Sequence, residues 1–476
     1  MTSLAVSNAP QPTTAVHDGL PTPRRYWSVL AIWIAMAMSV LDSAIANVAL
    51  PTIAHELHAT PAASIWIVNA YQLAITVALL PLAALGDRLG YRRVYLAGLA
   101  IFTLGSLGCA LSHTLVALTL ARVFQGFGAA GIMSINAALV RFTYPQRLLG
   151  RGIGLNAVVI SLAAALGPTV ASAILSVASW EWMFAVNVPI GVVAIVIASR
   201  ALPTAGGAKV RLDRIAAALN VLTFGLLIMG LEGLSRGDLA WGLGETGLGL
   251  VTGTILVRRE LGVPAPLTPV DLMRIPIFGL SIGTSIVSFA AQMLAYVVLP
   301  FYFQGPLART AVETGLLMTP WPLAVAVTAP LAGRLADRFP AGLLGGFGLA
   351  LFALGLGALS RLHPGAGDLD IAWRMALCGA GFGFFQSPNN RAIVSSAPLN
   401  RSGAAGGMLA TARLLGQTAG AVVAAMFFRL AGGGAMIGAL LTAALVAAAA
   451  AGISLTRLRL APARVAVAAR SQARPS

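Results

Sequence analysis

The chain has 476 residues, of which 58% are hydrophobic and only 10% charged. A soluble globular domain carries about 25% charged residues, so this composition, with a mean hydropathy of +0.85, excludes a soluble protein and fits a chain that crosses a membrane many times. The formal charge of +16 does not point to nucleic acid, because Lys and Arg fall in short loops between apolar runs, where they report membrane topology.

Residues 1–27 are rich in Pro, Thr and Ala and read as an unstructured tail. They do not form a secretory leader: the first apolar run is too long for one and contains an acid. Charges, prolines and loop signals then divide the chain into fourteen predicted spans, near 28–50, 64–85, 93–111, 115–140, 152–177, 182–200, 213–233, 239–257, 276–303, 312–333, 341–360, 371–391, 403–428 and 434–456. Each is close to the ~20 residues needed to cross a bilayer. Many are rich in Gly and Ala, which lets membrane helices approach closely. With the N-terminus in the cytoplasm, most of the 31 Lys and Arg fall in the inside loops, as the positive-inside rule requires. The expectation is an all-α polytopic membrane protein of fourteen spans with both termini cytoplasmic.

A weak repeat relates GDRLGYRR (86–93) after span two to GRLADRFP (333–340) after span ten. Two related halves are a mark of transporters. The Pro/Gly-containing segments 201–212 and 258–275 set spans seven and eight apart as an insertion. The predicted organisation is therefore a tail at 1–27, a six-helix bundle at 28–201, a linker with two extra helices at 202–262, a second six-helix bundle at 263–457, and a tail at 458–476.

Asp42 lies in an apolar run from about Trp27 to Pro51. An acid near the middle of a membrane helix costs roughly 2.5–3.5 kcal/mol on insertion scales, so it is usually kept for its charge or its proton. The alternative is a polar residue bonded to a neighbouring helix. Arg122, in span four, lies at a similar depth at ~1.5 Å per residue, and each charge needs a partner or water. Facing each other, the two could load and release a proton, or simply pin two helices together. Asn47 lies about 140° round the helix from Asp42 and reads as a helix–helix hydrogen bond.

Further polar stripes occur in other spans. Asn69, Gln72 and Thr76 share a face of span two. Gln292 and Tyr296 share one of span nine. Gln386, Asn389 and Asn390 lie in span twelve, after Phe382. Arg413 and Gln417 lie in span thirteen between Gly406 and Gly420. Such stripes face a cavity or another helix. Asp87 and Arg88 read as a tight loop that Gly86 and Gly90 permit, with Arg92 and Arg93 as topology anchors and Asp337–Arg338 as a weaker second copy. Gly167–Pro168 predicts a kink in span five. No catalytic constellation, Walker A sequence or metal-ligand spacing is present, and Cys109 and Cys378, both in apolar runs, read as fillers rather than a disulfide.

Several stretches together resemble the major facilitator superfamily, in its fourteen-span drug:proton antiporter branch: LDSAIANVALP (41–51), AALGDRLGYRR (83–93), LTLARVFQGFGAA (118–130), AAALGPTVAS (163–172) and WEWMFAVNVPIG (180–191). The chain departs from the branch's pattern at Ala83, Ala163, Ala171, Ser172 and Glu181. The resemblance implies a proton-driven exporter of small amphipathic compounds, of the multidrug-efflux and antibiotic-resistance type, in the inner (plasma) membrane. Asp42 and Arg122 would couple protons. Asn69, Gln72, Gln292, Tyr296, Gln386, Asn389, Asn390 and Arg413 are the candidate cavity residues. The loop at Asp87, Arg88, Gly90 and Arg92, with Asp337 and Arg338, would latch the cytoplasmic side, and Gly167 and Pro168 would carry the antiporter kink. No cofactor is expected beyond the proton gradient; the partners are a small-molecule substrate, protons and lipid, without nucleic acid, and a monomer is expected. Two alternatives stand beside this: a dedicated exporter of one neutral or anionic metabolite, and a non-transporting membrane sensor. An enzyme is not expected.

Overall fold

The computed structural model describes residues 19–204, 213–263, 266, 268–336, 338–363, 365–398, 402–430 and 435–459. Asp337, most of the 201–212 segment and most of both tails lie outside them. The described residues are helical throughout, with no strand. In chain order the helices are α1 (Arg24–Glu56), α2 (Pro61–Ser64), α3 (Trp66–Leu89), α4 (Tyr91–Ala110), α5 (Leu115–Thr143), α6 (Leu149–Leu175), α7 (Trp182–Ala185), α8 (Asn187–Ala201), α9 (Arg214–Arg236) and α10 (Leu239–Glu260). The second half continues with α11 (Pro276–Gln304), α12 (Ala311–Met318), α13 (Pro320–Leu335), α14 (Ala341–Leu359), α15 (Asp368–Ser396), α16 (Ser402–Leu430) and α17 (Ala435–Thr456).

Eleven helices among the described residues are long and apolar enough to cross a membrane, twelve with the bent α6. Helices α10 and α15 match predicted spans in position but are more polar, carrying Glu245, Arg258 and Arg259, and Asp368, Asp370, Arg374 and Asn389 respectively. The sequence reading ended the first run at Pro51, but α1 continues through that proline to Glu56. A proline removes one backbone bond, which the rest of a 33-residue helix can tolerate.

Helix ends follow ordinary capping chemistry. Thr114 accepts from the Ala117 N–H at the start of α5, and Asp213 accepts from Ile215 and Ala216 at the start of α9. Thr310 and Glu313 form a reciprocal capping box on α12. The α3–α4 turn is Gly90 alone, at φ +98°, a backbone state open chiefly to glycine. Asp87 and Arg88 are therefore on the last turn of α3, not in a loop, because the helix runs on to Leu89.

The two halves repeat one packing device. A Cβ on Gly128 of α5 would lie 2.7 Å from the Gly98 carbonyl of α4, and one on Gly381 of α15 would lie 2.6 Å from the Gly348 carbonyl of α14. In each pair bare glycine lets two backbones touch. Seven residues further along α4 and α14, Gly105 abuts Gln125 in the first half and Gly355 abuts Cys378 in the second. The two copies then diverge: Arg122 and Gln125 are buried polar residues, whereas the matching turn of α15 carries buried Met375 and Cys378.

Three buried clusters organise the bundle. One joins α1 (Ile45–Ile53) to the far end of α11 (Phe289–Phe303) and thus spans both halves. A second lies almost wholly in the first half, taking only Leu414 and Ala410 from the other. A third lies within the second half, around Phe278, Ile282 and Ile393. The part of the first cluster that joins α1 to α11 is at the end remote from Gly90, and its remainder runs along α14, α15 and α17. Helix α9 packs on both α3 and α16, with Asn220 donating to the Val77 carbonyl at 3.2 Å.

Candidate functional site: a buried ion pair beside a central cavity

Asp42 comes from the middle of α1 and Arg122 from α5. Helices α3, α4 and α8 close around them. Arg122 Nη1 donates to Asp42 Oδ2 in an ion pair whose side chains are 0% and 1% exposed. Gln125 Nε2 and Asn187 Nδ2 each donate to Asp42 Oδ1 at 2.9 Å. The carboxylate thus accepts three side-chain donors from two helices, α5 and α8. Arg122 also donates to Gln125 Oε1 at 2.6 Å and, through Nε, to the Ile67 carbonyl at 3.0 Å. Gln125 passes a further bond to Ser106 Oγ at 2.8 Å. The guanidinium lies 4.0 Å from the ring of Tyr71 and 5.5 Å from that of Phe184. Such cation–π contacts contribute roughly 0.5–2 kcal/mol each. The buried charges are paired and hydrogen-bonded, which is the condition for holding them in an apolar bundle.

A cavity of about 150 Å³ lies between the halves. Helix α1 offers it Val40, Ser43, Ala44 and Asn47, the face opposite Asp42. Asp42 and Arg122 do not line it. Of the predicted cavity residues, Gln72, Gln292, Tyr296, Gln386 and Arg413 do line it, as does Gln417. Gln72 Nε2 reaches across to Met293 Sδ at 3.9 Å. Tyr296 stacks edge-on against Trp321 with ring centroids 4.9 Å apart.

Three predicted cavity residues lie elsewhere. Asn69 is buried within the first half, and Asn390 is half-buried outside the lining. Asn389 faces away from the cavity: its amide donates to Ser285 Oγ at 2.8 Å, and its oxygen accepts from Arg457 Nη1 at 2.6 Å. Arg457 is itself buried, and further bonds go to Ser281 Oγ at 2.9 Å and Ser454 Oγ at 2.5 Å. This cluster ties α11, α15 and the end of α17 together. Asn47 departs from its reading in the other sense. Its amide donates within its own helix, to the Ser43 carbonyl at 2.9 Å, and its side chain lines the cavity.

The halves meet tightly at the end remote from Gly90. Thr169 and Thr319 hydroxyls lie 2.9 Å apart, and Ser172 Oγ donates to the Val312 carbonyl at 2.9 Å. These contacts come from the part of α6 beyond Gly167–Pro168. The axis of α6 turns by 41° between residues 158–164 and 166–175, the bend expected just before a proline that cannot bond backwards. Gly167 packs on Ala44 of α1. At the other end Asp87, Arg88 and Arg338 are exposed. Asp87 accepts from Tyr91 at 2.5 Å, and Arg92 donates to the Ser199 carbonyl.

The pattern of the Major Facilitator Superfamily matches residues 32–421. The chain belongs to this superfamily. It is 57% identical to the Escherichia coli (strain K12) protein named uncharacterized transporter YebQ, over 86% of this chain and 90% of that one. It is 31% identical to the tetracenomycin C resistance and export protein of Streptomyces glaucescens, over 85% and 75% of the two chains. It is 29% identical to the riboflavin transporter RibZ of Clostridioides difficile, over 85% and 89%. Among solved structures, a POT family transporter in complex with a thioalcohol-conjugated peptide superposes with a TM-score of 0.71 at 15% identity, covering 91% of this chain and 96% of that one, a likeness of fold. The protein is a multi-pass membrane transporter and not an enzyme.

Within this superfamily fold, the sequence reading missed Gln125 and Asn187. Gln125 lies three residues after Arg122, one turn along an apolar helix, and a polar residue at that spacing from a buried charge was a usable signal. Asn187 stands alone between Val186 and Val188 at the start of α8. Among the described residues no group of His, Cys, Asp or Glu could hold a metal.

Proposed function

We propose that this superfamily member is a proton-coupled exporter that carries small amphipathic compounds from the cytoplasm by alternating access. The observation that carries the reading is the Asp42–Arg122 pair. It is an acid buried at mid-helix, bonded by residues from two other helices, and directly behind the α1 face that lines the cavity. An ionised Asp42 ties α1 to α5 and α8. A protonated Asp42 loses its charge attraction to Arg122 and loosens that tie. Proton occupancy would thereby bias where α1 sits, and α1 is a wall of the cavity.

In this reading all fourteen predicted spans cross the inner membrane, and both termini are cytoplasmic. Residues 28–201 and 263–457 act as two six-helix bundles, with α9 of the 202–262 segment packed on both and α10 packed on α9. The end near Gly90 is cytoplasmic. The conformation is then closed outside, at the α6–α12 contacts. Rocking of the halves would reverse this. Gln72, Gln292, Tyr296, Gln386 and Arg413 would contact substrate, Gly167 and Pro168 would shape the outer closure, and Asp87, Arg88, Gly90 and Arg92, with Asp337 and Arg338, would form the inner latch. The protein would act as a monomer driven by the proton gradient alone.

Support also comes from relatives named for resistance and export. Proteoliposomes holding a panel of cationic, neutral and anionic amphipaths test the reading. An imposed proton gradient should drive uphill movement of some of them, and collapsing it with a protonophore should stop that movement. Uphill movement that persists without the gradient would refute proton coupling. The alternative, an exporter dedicated to one neutral or anionic metabolite, is favoured by one observation: among the described residues the cavity lining contains a cation, Arg413, and no acid.

A further inference from the structure

The cavity wall is chemically lopsided. Arg413 is its one charged side chain among the described residues, and no carboxylate faces it. Asp42, the acid of α1, is paired with Arg122 on the side of that helix away from the cavity. Arg413 has no acidic partner among the described residues, and its Nε is buried without a hydrogen-bond acceptor. A cation in a low-dielectric site attracts an anion strongly and repels another cation.

Other groups on the same wall are also unmatched. The indole N–H of Trp321, the Oδ1 of Asn47 and the Oε1 of Gln72 are buried without a partner among the described residues. A buried polar atom left unpaired costs about 1–3 kcal/mol. Of these groups and the Arg413 Nε, the two donors, Arg413 and Trp321, lack an acceptor that an anionic guest brings. The rest of the wall is aromatic. Arg413 lies 5.9 Å from the ring of Phe289, and Phe289 meets Phe382 edge-on at 5.2 Å. An aryl ring slotted beside Phe289 would bring an attached acid group to the guanidinium.

We infer that the substrate class is a compact aromatic acid, held with its anionic group at Arg413 and its ring among Phe289, Phe382 and Tyr296. The inference rests on the central cavity being the transport site, as in the proposed function. It excludes lipophilic cations as the preferred cargo, because nothing on the wall offsets the charge of Arg413.

Binding to the purified full-length protein, with no membrane and no gradient, tests this separately from proton coupling. The probes are two matched sets that share a ring and differ in charge: naphthoate, naphthamide and naphthylmethylammonium; and indoleacetate, indoleacetamide and tryptamine. Each is titrated by calorimetry against wild type, Arg413→Gln and Arg413→Lys, with melting temperature as the folding control. In at least one set the acid should bind about tenfold or more tighter than the amide, and the ammonium weakest, as charge-assisted bonding requires. Arg413→Gln should bring acid and amide to within about twofold, and Arg413→Lys should keep the order. Equal or tighter binding of the ammonium by wild type overturns the inference, as does an acid preference that survives in folded Arg413→Gln, or failure of both acids to bind at millimolar concentration. The wild-type charge order decides the matter even if Arg413→Gln does not fold. Failure here leaves gradient-driven export of other compounds intact, and failure of export leaves the charge order readable.

Discussion

Asp42 and Arg122, eighty residues apart in the chain, form an ion pair shut off from solvent between α1 and α5. Removing one partner strands the other charge in an apolar bundle, which typically costs about 3–5 kcal/mol. Asp42→Ala and Arg122→Ala should each lower stability by about that amount. The double variant should lose clearly less than the sum of the two. Thermal unfolding in detergent measures all three. Simple additivity would mean that the pair is not coupled in the protein as it exists in solution.

Thr169 and Thr319 mark the closed end, with hydroxyls 2.9 Å apart. In a background with Cys109 and Cys378 replaced, Thr169→Cys with Thr319→Cys should form a disulfide under mild oxidation. The crosslinked protein should stop transporting, and reduction should restore it. If the crosslink forms fully and transport continues at the wild-type rate, the closed end does not open in the cycle.

Gln386 and Asn389 lie one turn apart on α15 and face different surroundings. Gln386 lines the cavity, whereas Asn389 holds the buried Arg457. Asn389→Ala should lower stability by about 1.5–3 kcal/mol, the usual worth of a hydrogen bond to a charged group, and leave compound selectivity unchanged. Gln386→Ala should do the reverse, shifting apparent affinities with little change in melting temperature. The comparison needs only melting curves and competition assays on the two variants.

Asp213 caps α9 by accepting from the backbone of Ala216 and Ile215, and it pairs with Arg259 of α10 at 3.1 Å. The Ala216 bond chiefly, with help from Arg259, holds its carboxyl below the ordinary range. A group so depressed contributes its stability above the unfolded value of ~3.9 and loses it as pH falls through the lower folded value. Asp213→Ala should cost about 1 kcal/mol near neutral pH, and Asp213→Asn should cost less. The Ala variant should converge with wild type at strongly acidic pH. Melting temperatures across pH check both the size and the sign.

Most helices were legible because bilayer length, charge breaks and proline leave few alternatives. Span ends at 276–303 and 341–360 differ from α11 and α14 by one residue. The depth match of Asp42 and Arg122 was also readable, because 1.5 Å of rise per residue places a side chain along the membrane normal. Which neighbour a polar stripe faces was not. Periodicity gives an angle round one helix, while the partner depends on how that helix is turned in the bundle. Asn389 therefore read as a cavity residue but meets Arg457, and Asn47 read as a helix–helix contact but lines the cavity. The glycine pairs that repeat between α4–α5 and α14–α15 were hidden by the abundance of glycine, 52 residues in all. Only the paired backbones show which glycines matter.

The most direct test of the account is proton release inside liposomes. A pH-sensitive dye is enclosed with the reconstituted protein, and a mixed panel of amphipaths is added under an imposed gradient, for wild type and Asp42→Asn. The account predicts that at least one compound evokes a proton movement in wild type, and that none does in a folded Asp42→Asn protein that still binds the same compound. Proton movement of undiminished size in Asp42→Asn would contradict it.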